Sequence, residues 1–177
     1  MIEKYIYVII QYIEKEWLNM RYYIDDELYE FLQKDVEAVI ELIKKAYKST
    51  KEYYENKITD DFLYFNMYKT FTNGYCFYFA RLLKSVYKDG KFVVSDKNYA
   101  TFSHILLKIN DDIYDIKGKR KLNRYYVLDN KIIHNIDENH NIINEEVYKT
   151  FKKYFYEYLE QYVIYNKCCI KKVFDFS

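Results

Sequence analysis

The sequence predicts an α+β domain, with helices and strands in separate stretches of the chain, on three observations. Apolar residues recur at helical spacing through both flanks, the period becomes strand-like after Asp89-Gly90, and Asn110-Asp111 reads as a hairpin turn between two such runs. The order is helices, an apolar helix entered from a turn, an antiparallel sheet, and a closing helix.

Ile2, Tyr5, Ile6, Ile9, Tyr12, Ile13 and Trp17 predict a first helix over 2–22. Asp25-Asp26 marks a second start, suited to the positive end of a helix dipole. From there Leu28, Phe31, Leu32, Val36, Val39, Ile40, Ile43 and Tyr47 predict one long amphipathic helix to Tyr54. Thr59-Asp60-Asp61 opens a short helix through Tyr68, and Thr72-Asn73-Gly74 is a turn. Cys76, Phe79, Ala80, Leu83 and Val86 then give a helix from Tyr75 to Tyr87. Strands are expected at Phe92-Val93-Val94, Ala100–Ile109, Asp112–Lys117 and, more weakly, Tyr125–Leu128. The polar stretch Asp129–Asn144 reads as loop with a short strand at Ile132-Ile133, and a final helix runs from Asn144 to Ile164 with Val147, Phe151, Tyr154, Phe155, Tyr158 and Leu159 on one face. All 177 residues fit one domain: a helical layer over 1–70, a core over 71–130, and a C-terminal helix and tail over 144–177.

Composition narrows the function. Basic and acidic residues number 28 and 27, a net charge of +1 that leaves no electrostatic footprint for nucleic acid or an anionic membrane. The 24 tyrosines imply an aromatic core whose hydroxyls need partners. Lys, Ile, Asn and Tyr are abundant, as AT-rich coding in a low-GC bacterium or its phage produces. Three cysteines make an odd count without framework spacing, so a reducing, cytoplasmic setting is expected. The run Tyr5–Ile10 follows Glu3 and Lys4 and is too short for a secretory signal or a membrane span.

The residues that point to chemistry are Cys76, His104 and Asp115. Cys76 opens a helix, His104 opens a strand, and Asp115 lies on the next strand. A thiol nucleophile needs a base beside it and a carboxylate to orient that base. A two-residue loop at Asn110-Asp111 sets Ile109 opposite Asp112 and makes His104 and Asp115 diagonal neighbours on one face; a three-residue loop would separate them. Asn73 is a candidate cap for the Cys76 helix and, with Gly74, a candidate oxyanion or substrate-binding residue; Gly74 would let a substrate approach the backbone beside it. The free amides of the first turn, that of Cys76 included, would supply part of an oxyanion hole. Taken singly, a cysteine in an apolar helix is most often packing and a histidine opening a strand most often structural. Order, element type and face parity together favour chemistry.

The stretches Asn73–Leu83, Ser103–Ile109 and Ile113–Gly118 resemble the papain-like superfamily, above all small bacterial and phage cysteine peptidase-like proteins and the transglutaminase-like branch. Gly74-Tyr75-Cys76-Phe77 is also similar to the nucleophile motif of arylamine N-acetyltransferases. The resemblance implies a papain-like or transglutaminase-like core, a Cys76–His104–Asp115 triad and no cofactor. Thr70 stands where papain carries its oxyanion glutamine, and Gly118 is followed by Lys119-Arg120-Lys121 where the acetyltransferases continue Gly-Phe-Gly.

The expected function is hydrolysis of a peptide, isopeptide or side-chain amide bond in a protein or peptide substrate, a protease or deamidase. Two alternatives stay open: a non-catalytic protein-binding inhibitor encoded by a phage or mobile element, with tyrosines at its interface, and an acyltransferase. His134 and His140 flank Asp137 and Glu138 without zinc spacing, so no metal is expected and a solvated loop is the better reading. The basic run Lys117–Lys121 is a solvated turn or a contact for an acidic substrate segment, and Cys168-Cys169 should pack.

Overall fold

The computed structural model describes Leu32 and residues 35–55, 57, 61–64, 66–72, 74–95, 104–139 and 143–174. The expected helix over 2–22, the Asp25-Asp26 and Thr59-Asp60 starts, Asn73, residues 100–103 and His140 lie outside the described residues. Within them the chain is α+β, six helices and a five-stranded antiparallel sheet.

Helix α1 (Val36–Tyr54) buries Val36, Val39, Ile40, Ile43, Ala46, Tyr47, Thr50 and Tyr54, one stripe at helical spacing. The long helix expected from Asp25-Asp26 is interrupted at Asp35, which leaves helical conformation and accepts the Ala38 N–H at 3.1 Å as the N-cap. The single short helix expected to Tyr68 is two, α2 (Asp61–Tyr64) and α3 (Met67–Thr72); Asn66 stands between them and accepts the Lys69 N–H at 3.0 Å. Helix α4 (Cys76–Val86) follows the turn at Gly74.

Strands β1 (Lys91–Val94), β2 (Ile105–Ile109) and β3 (Asp112–Asp115) fall within the expected runs, but β2 begins just after His104 and β3 ends at Asp115, with Ile116-Lys117 a turn instead of strand. Strand β4 (Gly118–Arg120) replaces the turn expected for the basic run, and β5 is Tyr126–Val127. The order is β4-β3-β2-β1-β5. Residues 129–144 also differ from expectation: Asn130–Asn139 form helix α5, not loop and strand. Asp129 Oδ1 accepts the Ile132 N–H at 2.8 Å to start it, and Ile132, Ile133 and Ile136 pack on the core. Helix α6 (Glu145–Phe174) begins where expected, with Asn144 Oδ1 accepting the Glu146 N–H at 3.0 Å, but runs ten residues beyond Ile164.

Phe92, Val94, Ile105, Leu107, Ile109, Tyr114 and Ile116 face the helices and join the main core. Aromatic rings fill its centre: Tyr47 meets Phe62 and Phe71 edge-on, and Phe71 stacks on Phe151. The tyrosine hydroxyls are used. Tyr47 donates to the Phe62 carbonyl at 2.8 Å and Tyr87 to the Leu32 carbonyl at 2.7 Å. Helices α1 and α6 run antiparallel, joined by Tyr162 to Asp35 at 2.6 Å, Tyr158 with Ser49 at 2.8 Å, and Tyr54 with Thr150 at 3.0 Å.

The other sheet face carries a smaller cluster of Val93, Leu106 and Ile113, with Leu122 packed on it. Leu122 is there because β4 and β5 are opposite edges of the sheet, and residues 121–125 must cross three strands to join them. Four strand spacings are ~19 Å, so this connection runs almost fully extended. It is a strap over the face away from the helices.

Candidate active site

Two devices bring His104 to Asp115. Asn110, at φ +53°, takes the left-handed conformation that asparagine tolerates, and the hairpin closes with Ile109 opposite Asp112. Leu107 then pairs with Tyr114, so the register carries Leu106 opposite Asp115 and puts His104 diagonal to it. His104 Nε2 lies 3.0 Å from Asp115 Oδ2, the contact expected from a two-residue loop.

Asp115 is 2% exposed and every contact around it favours the carboxylate. Its Oδ1 accepts the Lys117 N–H at 2.7 Å across the tight Ile116-Lys117 turn, and Arg120 Nε stands 3.5 Å from Oδ2. Burial by itself pushes this carboxyl up. The His104 and Lys117 hydrogen bonds and the charges of His104 and Arg120 outweigh burial and hold it below the usual carboxylate range.

The His104 side chain is 26% exposed. Burial pulls its imidazole down, but the Asp115 hydrogen bond, the Cys76 thiol and both charges push it up to about 9. With Nε2 bound to the carboxylate, Nδ1 is the nitrogen left over. It is buried and has no hydrogen-bond partner among the described residues. The Cys76 thiol is the other neighbour that favours the charged ring.

Cys76 is the first residue of α4 and 7% exposed. Its sulfur accepts the Ile105 N–H at 3.3 Å, which ties the helix start to the first residue of β2, next to His104. Tyr78 and Phe79 both send their N–H to the Tyr75 carbonyl, at 3.1 and 3.5 Å, and Tyr75 gives no side-chain cap. The amides of Cys76 and Phe77 are thus unused among the described residues, as the first amides of a helix are. Gly74, two residues earlier, sits half-buried at φ +107°, a conformation that favours glycine.

The structure thus gathers Cys76, His104 and Asp115, with Gly74 beside them. Thr70 is no glutamine substitute: fully buried, it donates its hydroxyl to the Phe62 and Asn66 carbonyls, at 3.3 and 3.1 Å, and meets the Tyr47 hydroxyl at 3.1 Å. The two supports that sequence reasoning missed are Arg120 and Glu37. Glu37, on α1, accepts the Lys119 N–H at 2.9 Å and fills the space where a side chain on Gly118 would stand. Gly118 at φ +97° was the available signal, since a glycine after a strand marks a close approach.

His134 lies on α5 rather than in a loop, and among the described residues no group of three His, Cys, Asp or Glu is placed to hold a metal ion. Cys168 and Cys169 fall in α6, with side chains outside the described residues. No helix among the described residues is long and apolar enough to cross a membrane.

Fold and site define an α+β protein with a cysteine, a histidine and an aspartate assembled at one end of its sheet. The profile of the Phage YunG-like protein family matches residues 51–164, and the chain belongs to that family. That span holds all three site residues and most of the core that positions them. No curated protein matches the chain, and no solved structure matches it.

Proposed function

We propose that the protein is a cysteine hydrolase that cleaves a peptide, isopeptide or side-chain amide bond of a protein, with Cys76 as nucleophile, His104 as base and acid, and Asp115 as the group that orients and stabilises the histidine. The observation that carries this reading is the His104–Asp115 pair, with a buried, unpartnered Nδ1 beside the Cys76 thiol. In the proposed reaction Nδ1 takes the thiol proton and the thiolate attacks the carbonyl carbon. The oxyanion is held by the amides of Cys76 and Phe77, which have no partner among the described residues. His104 then protonates the leaving nitrogen, giving a thioester that water hydrolyses with the same histidine as base.

The test is the rate of Cys76 alkylation by iodoacetamide against pH, located by peptide mapping, in wild type and His104→Ala. Fast reaction well below pH 8.5 that disappears in the variant supports a thiolate–imidazolium pair. Slow reaction titrating near 8.5 in both makes Cys76 a packing residue. That outcome favours the second reading, a phage-encoded binder of a host protein, which draws support from the family and from the exposed rings of Tyr53, Tyr68, Tyr125 and Tyr165.

A further inference from the structure

The sheet face that carries the His104–Asp115 pair is also the face crossed by the strap. The eight residues 117–124 hold five cations, Lys117, Lys119, Arg120, Lys121 and Arg124, and no acid, in a chain whose net charge is +1. All five are exposed. Lys119 is paired with Asp112 at 2.6 Å and Arg120 with Asp115 at 3.5 Å. Lys117, Lys121 and Arg124 have no ion pair among the described residues. Their placement follows from the topology. Lys117 occupies the turn that the register sets across from His104, and Lys121 and Arg124 lie one residue before and two after Leu122, which packs on the cluster of Val93, Leu106 and Ile113 on the face that carries Asp115. The acids nearest in the fold are already engaged: Asp115 by His104, Asp112 by Lys119, and Glu37 by the Lys119 amide.

We infer that the substrate segment presented to Cys76 is an acidic stretch of polypeptide, held by the unpaired cations of the strap. This rests on the hydrolase reading above and names its substrate class. An exposed cation contributes little to affinity alone, but several of one sign beside a half-buried site steer an oppositely charged ligand and raise its on-rate. The nearly extended strap presents its charges along a line, a shape that suits an extended acidic segment better than a single anion.

The experiment uses the full chain and three tetrapeptide chloromethyl ketones that alkylate Cys76, with aspartates, with alanines and with lysines. Iodoacetamide is the small uncharged reference. Wild type is compared with the double variant Lys121→Glu, Arg124→Glu, which reverses two of the proposed substrate-holding cations at exposed positions and leaves Cys76, His104 and Asp115 untouched. At low ionic strength the aspartate probe should react about tenfold faster than the lysine probe, with the alanine probe between. That ratio should shrink severalfold in 0.5 M salt. In the double variant it should fall to one or invert while the iodoacetamide rate stays unchanged. Equal rates for the three probes on a thiol that iodoacetamide finds activated would overturn the acidic substrate and leave the hydrolase intact. So would a ratio that survives charge reversal. A thiol slow toward all reagents, titrating near 8.5, overturns both.

Discussion

Asp115→Asn isolates the electrostatic core of the site. The substitution keeps size and hydrogen-bonding shape and removes one negative charge from a position 2% exposed and 3.0 Å from His104 Nε2. A hydrogen bond to a charged group is worth roughly 1.5–3 kcal/mol, which corresponds to about 1–2 pKa units. His104, pushed up to about 9 in the wild type, should therefore titrate nearer 7 or 8 in the variant. Stability moves with it. A histidine whose pKa is raised on folding stabilises the fold fully below its unfolded value of about 6.5 and loses that contribution as pH rises through the folded value. The wild type should thus lose stability between about pH 6.5 and pH 9, and the variant should lose about 1.5–3 kcal/mol less over that window. The assays are NMR titration of the His104 ring, and urea unfolding at the two ends of the window. A His104 titration that moves by less than about half a unit would refute the argument, since a buried carboxylate at this distance cannot be electrostatically silent.

Arg120→Gln should act in the opposite sense. It removes a cation that shares Asp115 Oδ2 with His104, so the imidazole should rise, by no more than a few tenths of a unit because the guanidinium is exposed and screened; a fall would contradict the geometry. Gly118→Ala places a Cβ 2.7 Å from Glu37 Oε2 at φ +97° and should destabilise the protein by about 1–3 kcal/mol in urea unfolding, detaching the hairpin that carries Asp115 from α1; an unchanged midpoint would be incompatible with this contact. Phe151→Ala empties the centre of the aromatic core and should cost about 3–5 kcal/mol in the same assay, whereas a loss below about 1 kcal/mol would mean that the rings are not close-packed.

The candidate site was more legible in the sequence than the fold around it, and the reason is local. His104 and Asp115 are joined by one hairpin whose register follows from a two-residue Asn110-Asp111 loop, so their contact needs no long-range information. Cys76 was legible because α4 is apolar enough for its period to be read directly. Strand β4 was hidden: three residues long, it is an edge strand with Lys119 and Arg120 exposed, so it lacks the alternation that betrays a strand. Helix α5 was hidden because Ile132, Ile133 and Ile136 are its only aliphatic residues in a run of Asn, Lys, His, Asp and Glu. Its helicity comes from packing and from the Asp129 cap rather than from propensity. Asp35 in turn breaks an apolar period that continues on either side of it, and only the cap geometry shows where α1 begins.

The amides of Cys76 and Phe77, unused among the described residues, have a consequence for how such a protein drifts. Side-chain donors are lost by single-base changes; these two belong to the main chain and survive every substitution that keeps the helix and does not introduce proline. Alanine scanning of residues 70–79 is blind to them for the same reason. Thr70 can thus serve the core while the two main-chain donors beside Cys76 stay in place. Removing one of these donors without disturbing the Phe77 ring requires a change to the main chain itself, such as an amide-to-ester replacement at Phe77 by chemical ligation. If the donors hold the oxyanion, that replacement should slow acylation of Cys76 while leaving its alkylation by iodoacetamide intact.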